Sequence, residues 1–298
     1  MTPLDADMIE NAARIERFLD AYLRNADAAA LAGTPDRLLA AMRHGALDGG
    51  KRLRPFLLRT VAEMYEVPEE RIIRAGAALE MVHSYSLIHD DLPDMDDDRL
   101  RRGKPSVWAA FDPATAILAG DALLSEAFRL LTDPLTAPDP EVRIGLVRSL
   151  ARRSGASGMV GGQMLDLVAE ATSPPLEAVT EIQQMKTGEL VAAAMEIGAL
   201  LGGETRLGPL TLCGHHAGLA FQIADDILDA TASSEALGKT AGKDAVQQKA
   251  TIVAAIGLDG ARRMLEASIA DALTLLDDFG PRADRLREVI RYFAARQR

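Results

Sequence analysis

A chain of 298 residues can bury a large core, and with aromatics at 4% and few β-branched runs its composition favours helix nearly throughout. A formal net charge of −11 leaves no basic stripe to meet a phosphate backbone, which argues against a nucleic-acid partner. The single cysteine, Cys213, excludes an intrachain disulfide or a multi-thiolate metal site. Acids near the N-terminus and the lack of an apolar run of spanning length point to a cytoplasmic protein with no membrane span.

In chain order, Ile9, Ala12, Ile15, Leu19 and Leu23 mark an amphipathic helix over about 5–26. Thr34-Pro35 supplies a cap and a first-turn proline for a helix through about Arg43. Gly49-Gly50-Lys51-Arg52-Leu53-Arg54-Pro55 reads as a flexible basic turn leading into a helix over Phe56 to Tyr65. Glu69 to Asp91 is the first long helix, and Asp112-Pro113 opens the next, through about Leu131. Pro134, Pro138 and Pro140 form a surface loop. Helices follow over Glu141 to Arg153 and Ala156 to Ala171, the latter carrying Gln163, Asp166 and Glu170 at i, i+3, i+7.

Ser173-Pro174-Pro175 opens a long helix to about Leu201 with Lys186-Thr187-Gly188 in its middle, where glycine marks a kink or a close backbone approach. Gly208-Pro209 breaks the chain before a helix over Leu210 to Thr231. A glycine-bearing loop, Gly238 to Asp244, precedes Lys249, and two more helices close the chain. No repeat or low-complexity tract is present, so residues 1–298 read as one all-α domain.

Chemistry concentrates in two places. Asp90, Asp91, Asp94, Asp96, Asp97 and Asp98 crowd the end of an apolar helical pattern, and Asp225, Asp226 and Asp229 lie on a second apolar helix far downstream. Inward carboxylate clusters repel unless cations offset them, and acids with little His or Cys nearby suit Mg²⁺ completed by water and phosphate oxygens. Gln222, Asp225, Asp226 and Asp229 share one helix face by their i, i+3, i+4, i+7 spacing. Asp90 and Asp96 would diverge on a straight helix, but Pro93 bends the chain so that the later acids can return. His83 and Ser86 extend the polar stripe upstream of Asp90. Bases able to answer anions stand in four groups: Lys51 with Arg52 and Arg54, Arg101 with Arg102, Lys186, and Lys239 with Lys243 and Lys249. Acids that hold Mg²⁺ together with such bases describe a diphosphate site. There is no Gly-x-x-x-x-Gly-Lys-Ser/Thr loop for a P-loop nucleotidase.

The ordered set Gly49 to Pro55, His83 to Asp91, Met95 to Gly103, Gly162-Gln163, Lys186-Thr187-Gly188 and Phe221-Gln222-x-x-Asp225-Asp226-Ile227-Leu228-Asp229 resembles the bacterial short-chain trans-prenyl diphosphate synthases. The likeness spans almost the whole length and is strongest to farnesyl-producing members. It implies a helical bundle around a deep central cavity, with the acidic clusters facing each other. It further implies a homodimer and three Mg²⁺ ions, with Mn²⁺ as an alternative, held by Asp90, Asp96, Asp225 and Asp229 with Asp91 and Asp226 in support. Arg101, Lys186, Thr187, Gln222, Lys239 and Lys249 would hold an allylic diphosphate (dimethylallyl or geranyl). Lys51, Arg54, His83 and Arg102 would hold isopentenyl diphosphate.

By the same resemblance Tyr85, with Ser84 and Ser86 beside it, floors the cavity and stops growth at farnesyl diphosphate. The rivals are a geranylgeranyl-forming enzyme and a non-catalytic regulatory subunit, although the latter is expected to have lost an aspartate motif. Asp94 stands where relatives often have a small or neutral residue, and Ala250-Thr251 follow Lys249 where a Tyr-Pro pair is common. The loop from Lys239 to Asp244 and the C-terminal Arg296 and Arg298 are the segments expected to close the site.

Overall fold

The computed structural model describes residues 2–24, 31–47, 49–169, 174–237 and 251–295. Two compact units emerge, Met1–Arg148 with Ile197–Gly203, and Ser149–Glu196 with Glu204–Arg298. The first contains α1 (Pro3–Arg24), α2 (Asp36–Ala46), α3 (Leu53–Glu63), α4 (Glu69–Asp90), a small hairpin of β1 (Leu100–Arg101) and β2 (Lys104–Pro105), α5 (Val107–Ala110) and α6 (Pro113–Thr132). The second contains α8 (Met159–Ala169), α9 (Leu176–Gln183), α11 (Gly208–Leu237), α12 (Ile252–Thr274) and α13 (Asp284–Ala295). The division falls inside α7 (Pro140–Ser154) and α10 (Glu189–Leu201). The all-α expectation holds, with two short antiparallel strands as the one departure among the described residues.

Helix α4 is the core of the first unit. Ala75, Ala77, Ala78, Leu79, Met81 and Val82 are fully buried, and the helix packs against α3 and α6. Small residues allow that crowding, since a side chain at Gly76 would press on Ile15 and Pro55. The chain does not bury only apolar groups there. Arg52 has left-handed backbone (φ 46°), and its side chain turns inward to Glu80 at 2.6 Å, Glu16 at 2.5 Å and the Ala46 carbonyl at 2.7 Å. Of the three bases in the Gly-Gly-Lys-Arg-Leu-Arg-Pro turn, Arg52 therefore neutralises acids of the fold, although by charge alone it groups with Lys51 and Arg54 as a base able to answer an anion.

The helix starts show which caps are made. Asp112 accepts from the Thr115 N–H at 2.7 Å with Pro113 just inside α6, as its sequence predicts. At α2 the expected Thr34 cap is not made; Pro35 takes the cap position and the helix begins at Asp36. Its missing N–H costs nothing there, because the first helical donors are unpaired in any case.

Two outcomes follow. Arg52→Ala strands Glu80 in the core, and urea denaturation should show a loss of about 3–5 kcal/mol. Asp112 is held down to about 2 by the Thr115 N–H and then by Arg37. Its folded value lies below the ordinary 3.8, so the stabilisation is present above that value and is lost as pH falls toward 2. Acid titration of Asp112→Asn followed by circular dichroism should lack that component.

Candidate active site

In the first unit the acidic run begins on the last turn of α4 and folds back at once. The Asp96 N–H donates to the Asp90 carbonyl at 2.9 Å, and the Asp97 N–H to the Leu92 carbonyl at 3.0 Å. Asp97 is left-handed, which completes the return around Pro93. Asp90 and Asp96 thus share one turn, as the bend predicts. Asp91 points the other way: it is buried, and Arg101 Nε donates to its two oxygens at 2.8 and 2.9 Å. Burial pushes the Asp91 carboxyl up from its ordinary value, and the Arg101 fork offsets part of that. The pair ties the acidic turn to β1.

The hairpin turn itself is Arg102-Gly103, both with positive φ (51° and 79°), the arrangement that lets two strands reverse over two residues. Strands of two residues leave no alternation to read, and sequence reasoning missed them. The turn presents Arg102, whose Nη1 donates to the Gly49 carbonyl. Gly50, with φ of 98°, has no room for a side chain because the Arg102 guanidinium occupies it. Lys51 is exposed beside this contact, and Arg54 Nη1 donates to His83 Nε2 at 3.2 Å. Desolvation, then the charges of Arg54 and Arg102, depress the His83 pKa well below 6.5. The ring is therefore neutral and accepts through Nε2.

Thus Gly49 and Gly50 meet Arg102, and Arg54 meets His83, while Arg52, Ser84, Asp91, Arg101 and Arg102 line a small adjoining recess. Tyr85, 6% exposed, packs edge-on against His89, and burial followed by the Asp90 charge pushes its phenol up to about 12.

In the second unit the expected long helix over Lys186-Thr187-Gly188 is not uniform. Gln184–Gly188 is a π-turn between α9 and α10, a wider coil that carries one residue more than an α-turn. Close backbone approaches flank it. A Cβ on Gly162 of α8 would lie within 2.7 Å of the Met185 carbonyl carbon and closer still to the Lys186 nitrogen, and one on Gly218 of α11 would lie 2.7 Å from the Gly188 Cα. Of the two readings of Gly188, the close backbone approach is met where Gly218 packs on it, and a π-turn stands where a kink is the alternative.

From this turn Lys186 Nζ reaches Asp166 at 2.7 Å and the Thr187 hydroxyl donates to Gln222 Oε1 at 3.2 Å. On α11, Asp225 is half-buried and Asp229 exposed. Asp226 is buried and accepts from the Ile252 N–H at 2.9 Å, Gln183 at 3.1 Å and Gln222 at 3.4 Å. Burial raises its pKa, and those three donors offset part of the rise. Lys239, Lys249 and the proposed closing segments, Lys239 to Asp244 with Arg296 and Arg298, lie outside the described residues.

A second network was not anticipated. Arg153 meets Glu196 at 2.5 Å and Glu189 at 2.6 Å, His215 Nε2 lies 3.1 Å from Glu189, and the Ser149 and Thr211 hydroxyls each donate to Glu196 at 2.6 Å. In the sequence Glu196 merely interrupts the apolar run from Leu190 to Leu201. Since α10 starts at Glu189, one residue past Gly188, this network fixes the helix that leaves the π-turn.

Two carboxylate sets remain as candidate metal ligands. Among the described residues no three His, Cys, Asp or Glu side chains lie close enough to hold an ion by themselves. Oxygen-only donors in incomplete sets fit Mg²⁺, which keeps waters and shares substrate phosphates, and do not fit zinc.

The chain matches the polyprenyl synthetase family over residues 35–278. It is 47% identical over 238 residues to the farnesyl diphosphate synthase of Escherichia coli (strain K12), covering 78% of this chain and 79% of the relative. It is 42% identical over 271 residues to a chloroplastic geranylgeranyl pyrophosphate synthase 9 of Arabidopsis thaliana, covering 88% and 75%. A solved structure described as an apo FPP/GFPP synthase from Zymomonas mobilis superposes with a TM-score of 0.85 at 40% identity, over 98% of each chain. The chain belongs to the polyprenyl synthetase family.

Gly162→Ala should push Lys186 and Met185 off their positions and cost about 1–3 kcal/mol by overpacking, read by thermal unfolding. His83 should remain neutral at pH 6.5 and below in an NMR titration of its ring. Because its folded pKa is lowered, the unfolded chain takes up the proton first, and this group opposes folding as pH falls below 6.5. A ring half-protonated at 6.5 would contradict the Arg54 contact.

Proposed function

We propose that this protein is a Mg²⁺-dependent farnesyl diphosphate synthase that condenses isopentenyl diphosphate with dimethylallyl and then geranyl diphosphate. The observation that carries the reading is the family's ordered motif set on a chain that keeps both aspartate clusters, Asp90–Asp96 and Asp225–Asp229. Farnesyl diphosphate synthases are among its relatives at 40–47% identity. Retention of both acidic clusters disfavours the silent-subunit reading.

In this reading Asp90, Asp96, Asp225 and Asp229 hold Mg²⁺, three ions per site. The metal supplies positive charge against the negative charge that builds on a departing diphosphate. Lys186, Thr187, Gln222 and Arg101, with Lys239 and Lys249, bind and orient the allylic diphosphate. Arg101 is already set by Asp91, so its fork costs little ordering on binding. Lys51, Arg54 and Arg102 bind the second diphosphate, with neutral His83 adding a hydrogen bond and no competing charge. The allylic C–O bond breaks with its electron pair leaving on diphosphate. The isopentenyl double bond attacks the allylic carbon, and the diphosphate released takes the proton lost. Asp91 and Asp226 position the ligands from within the fold. The buried Tyr85 ring ends the growing chain.

No helix among the described residues is long and apolar enough to cross a membrane, which suits a cytoplasmic enzyme. Ile117 and Leu118 leave an exposed apolar patch on α6 that suits a homodimer contact. The two units act as one catalytic domain.

The test is a product assay with Mg²⁺, isopentenyl diphosphate and, separately, dimethylallyl, geranyl or farnesyl diphosphate. A C15 product from the first two, with little use of farnesyl diphosphate, is expected. C20 or longer products would move the assignment to a geranylgeranyl-forming enzyme, and no condensation would move it to a regulatory subunit. Asp90→Asn and Asp225→Asn should each reduce turnover by roughly a hundredfold or more, on the scale of losing one charge-stabilising group.

A further inference from the structure

Tyr85 can end a hydrocarbon chain only if its ring is held in place, and its immediate neighbours, Ser84 and Ser86, are too small to brace it. The residue one turn on is His89. Its imidazole meets the Tyr85 ring edge-to-face at 5.7 Å and 80°. On its far side the imidazole is pinned to α6. Nε2 lies 3.1 Å from the Ile117 carbonyl, which can only accept, so this nitrogen carries the proton. Asp121 stands 4.0 Å from the same nitrogen. The imidazole also fills the space left by a missing side chain, since a Cβ on Gly120 would overlap the ring. Three contacts from α6 thus fix His89, and His89 in turn contacts the Tyr85 ring.

We propose that His89 is a specificity-determining positioning residue, wedged between α4 and α6 so that it locks the Tyr85 ring and thereby sets product length. The proposal rests on the reading of Tyr85 as the chain-length stop. His89 itself touches no substrate; it acts through Tyr85. Without the wedge, Tyr85 gains room toward α6 and yields to a longer chain. His89→Gln restores an amide nitrogen able to donate to the Ile117 carbonyl and should recover much of the wild-type behaviour.

The experiment measures the ratio of C20 and longer products to C15 for wild type, His89→Ala, His89→Gln, Tyr85→Ala and the Tyr85→Ala/His89→Ala double variant. A product ratio within the surviving activity does not depend on how much protein folds. His89→Ala should raise the ratio on the order of two- to tenfold, the scale of one aromatic edge contact. Tyr85→Ala should raise it further, the double variant should match Tyr85→Ala alone, and His89→Gln should lie near wild type. Gly120→Ala, which displaces the same imidazole from α6 without touching Tyr85, should shift products in the direction of His89→Ala.

If Tyr85→Ala lengthens the product and His89→Ala does not, the wedge is wrong and the Tyr85 stop stands. If the two substitutions add in the double variant, His89 works independently of Tyr85 and the proposal also fails. If Tyr85→Ala leaves the product at C15, the stop is wrong and the wedge built on it falls with it.

Discussion

Carboxylates gathered at the end of an apolar helix repel one another and lose hydration, and the fold must answer both costs before any ligand arrives. In the first unit the answer is a division of labour between Asp90 and Asp91. Asp91 is drawn inward and neutralised by Arg101, and that ion pair fastens the hairpin that presents Arg102. Asp90 stays half-exposed, and the chain returns Asp96 to it through one backbone hydrogen bond. The second unit treats Asp225 and Asp226 alike: the second acid is buried and bonded to three donors, and the first remains more open. In each doublet one acid supports the structure and the other stays more open.

The basic residues divide in the same manner. Arg52 and Arg54 are two positions apart, but left-handed backbone turns Arg52 toward Glu16 and Glu80 while Arg54 meets His83. A motif that offers three positive charges by sequence therefore commits one of them to acids of the fold. Lys186 and Thr187 owe their placement to backbone in close contact, where Gly162 and Gly218 admit neighbouring helices to the π-turn and the Arg153–Glu189–His215 network holds the helix beyond it.

What could be read from the sequence was periodic or chemically obvious. Glu69 to Asp91 differs from α4 by one residue, and Asp112-Pro113 caps α6 as expected. The bend at Pro93 followed from proline's restriction of the residue before it. What escaped reading depends on contacts distant in the chain. The π-turn is set by glycines on α8 and α11, 24 and 32 residues from Lys186. The hairpin is too short to alternate. Glu189, Glu196 and His215 carry no signal until folding brings Arg153 between them. Arg52 shows the same limit, since nothing in Lys51-Arg52-Leu53-Arg54 marks which base turns inward.

The buried second acid of each doublet also gives α4 and α11 a fixed phase. An α-helix turns by about 100° per residue, so one residue inserted ahead of Asp90 would carry Asp90 to the buried place of Asp91 and Asp91 to that of Leu92, which is also buried. The side chain facing Arg101 would remain an aspartate, but the half-exposed place of Asp90 would pass to the inserted residue and Asp91 would enter a buried position without an arginine. Length in these helices upstream of the doublets is therefore as constrained as the aspartates themselves.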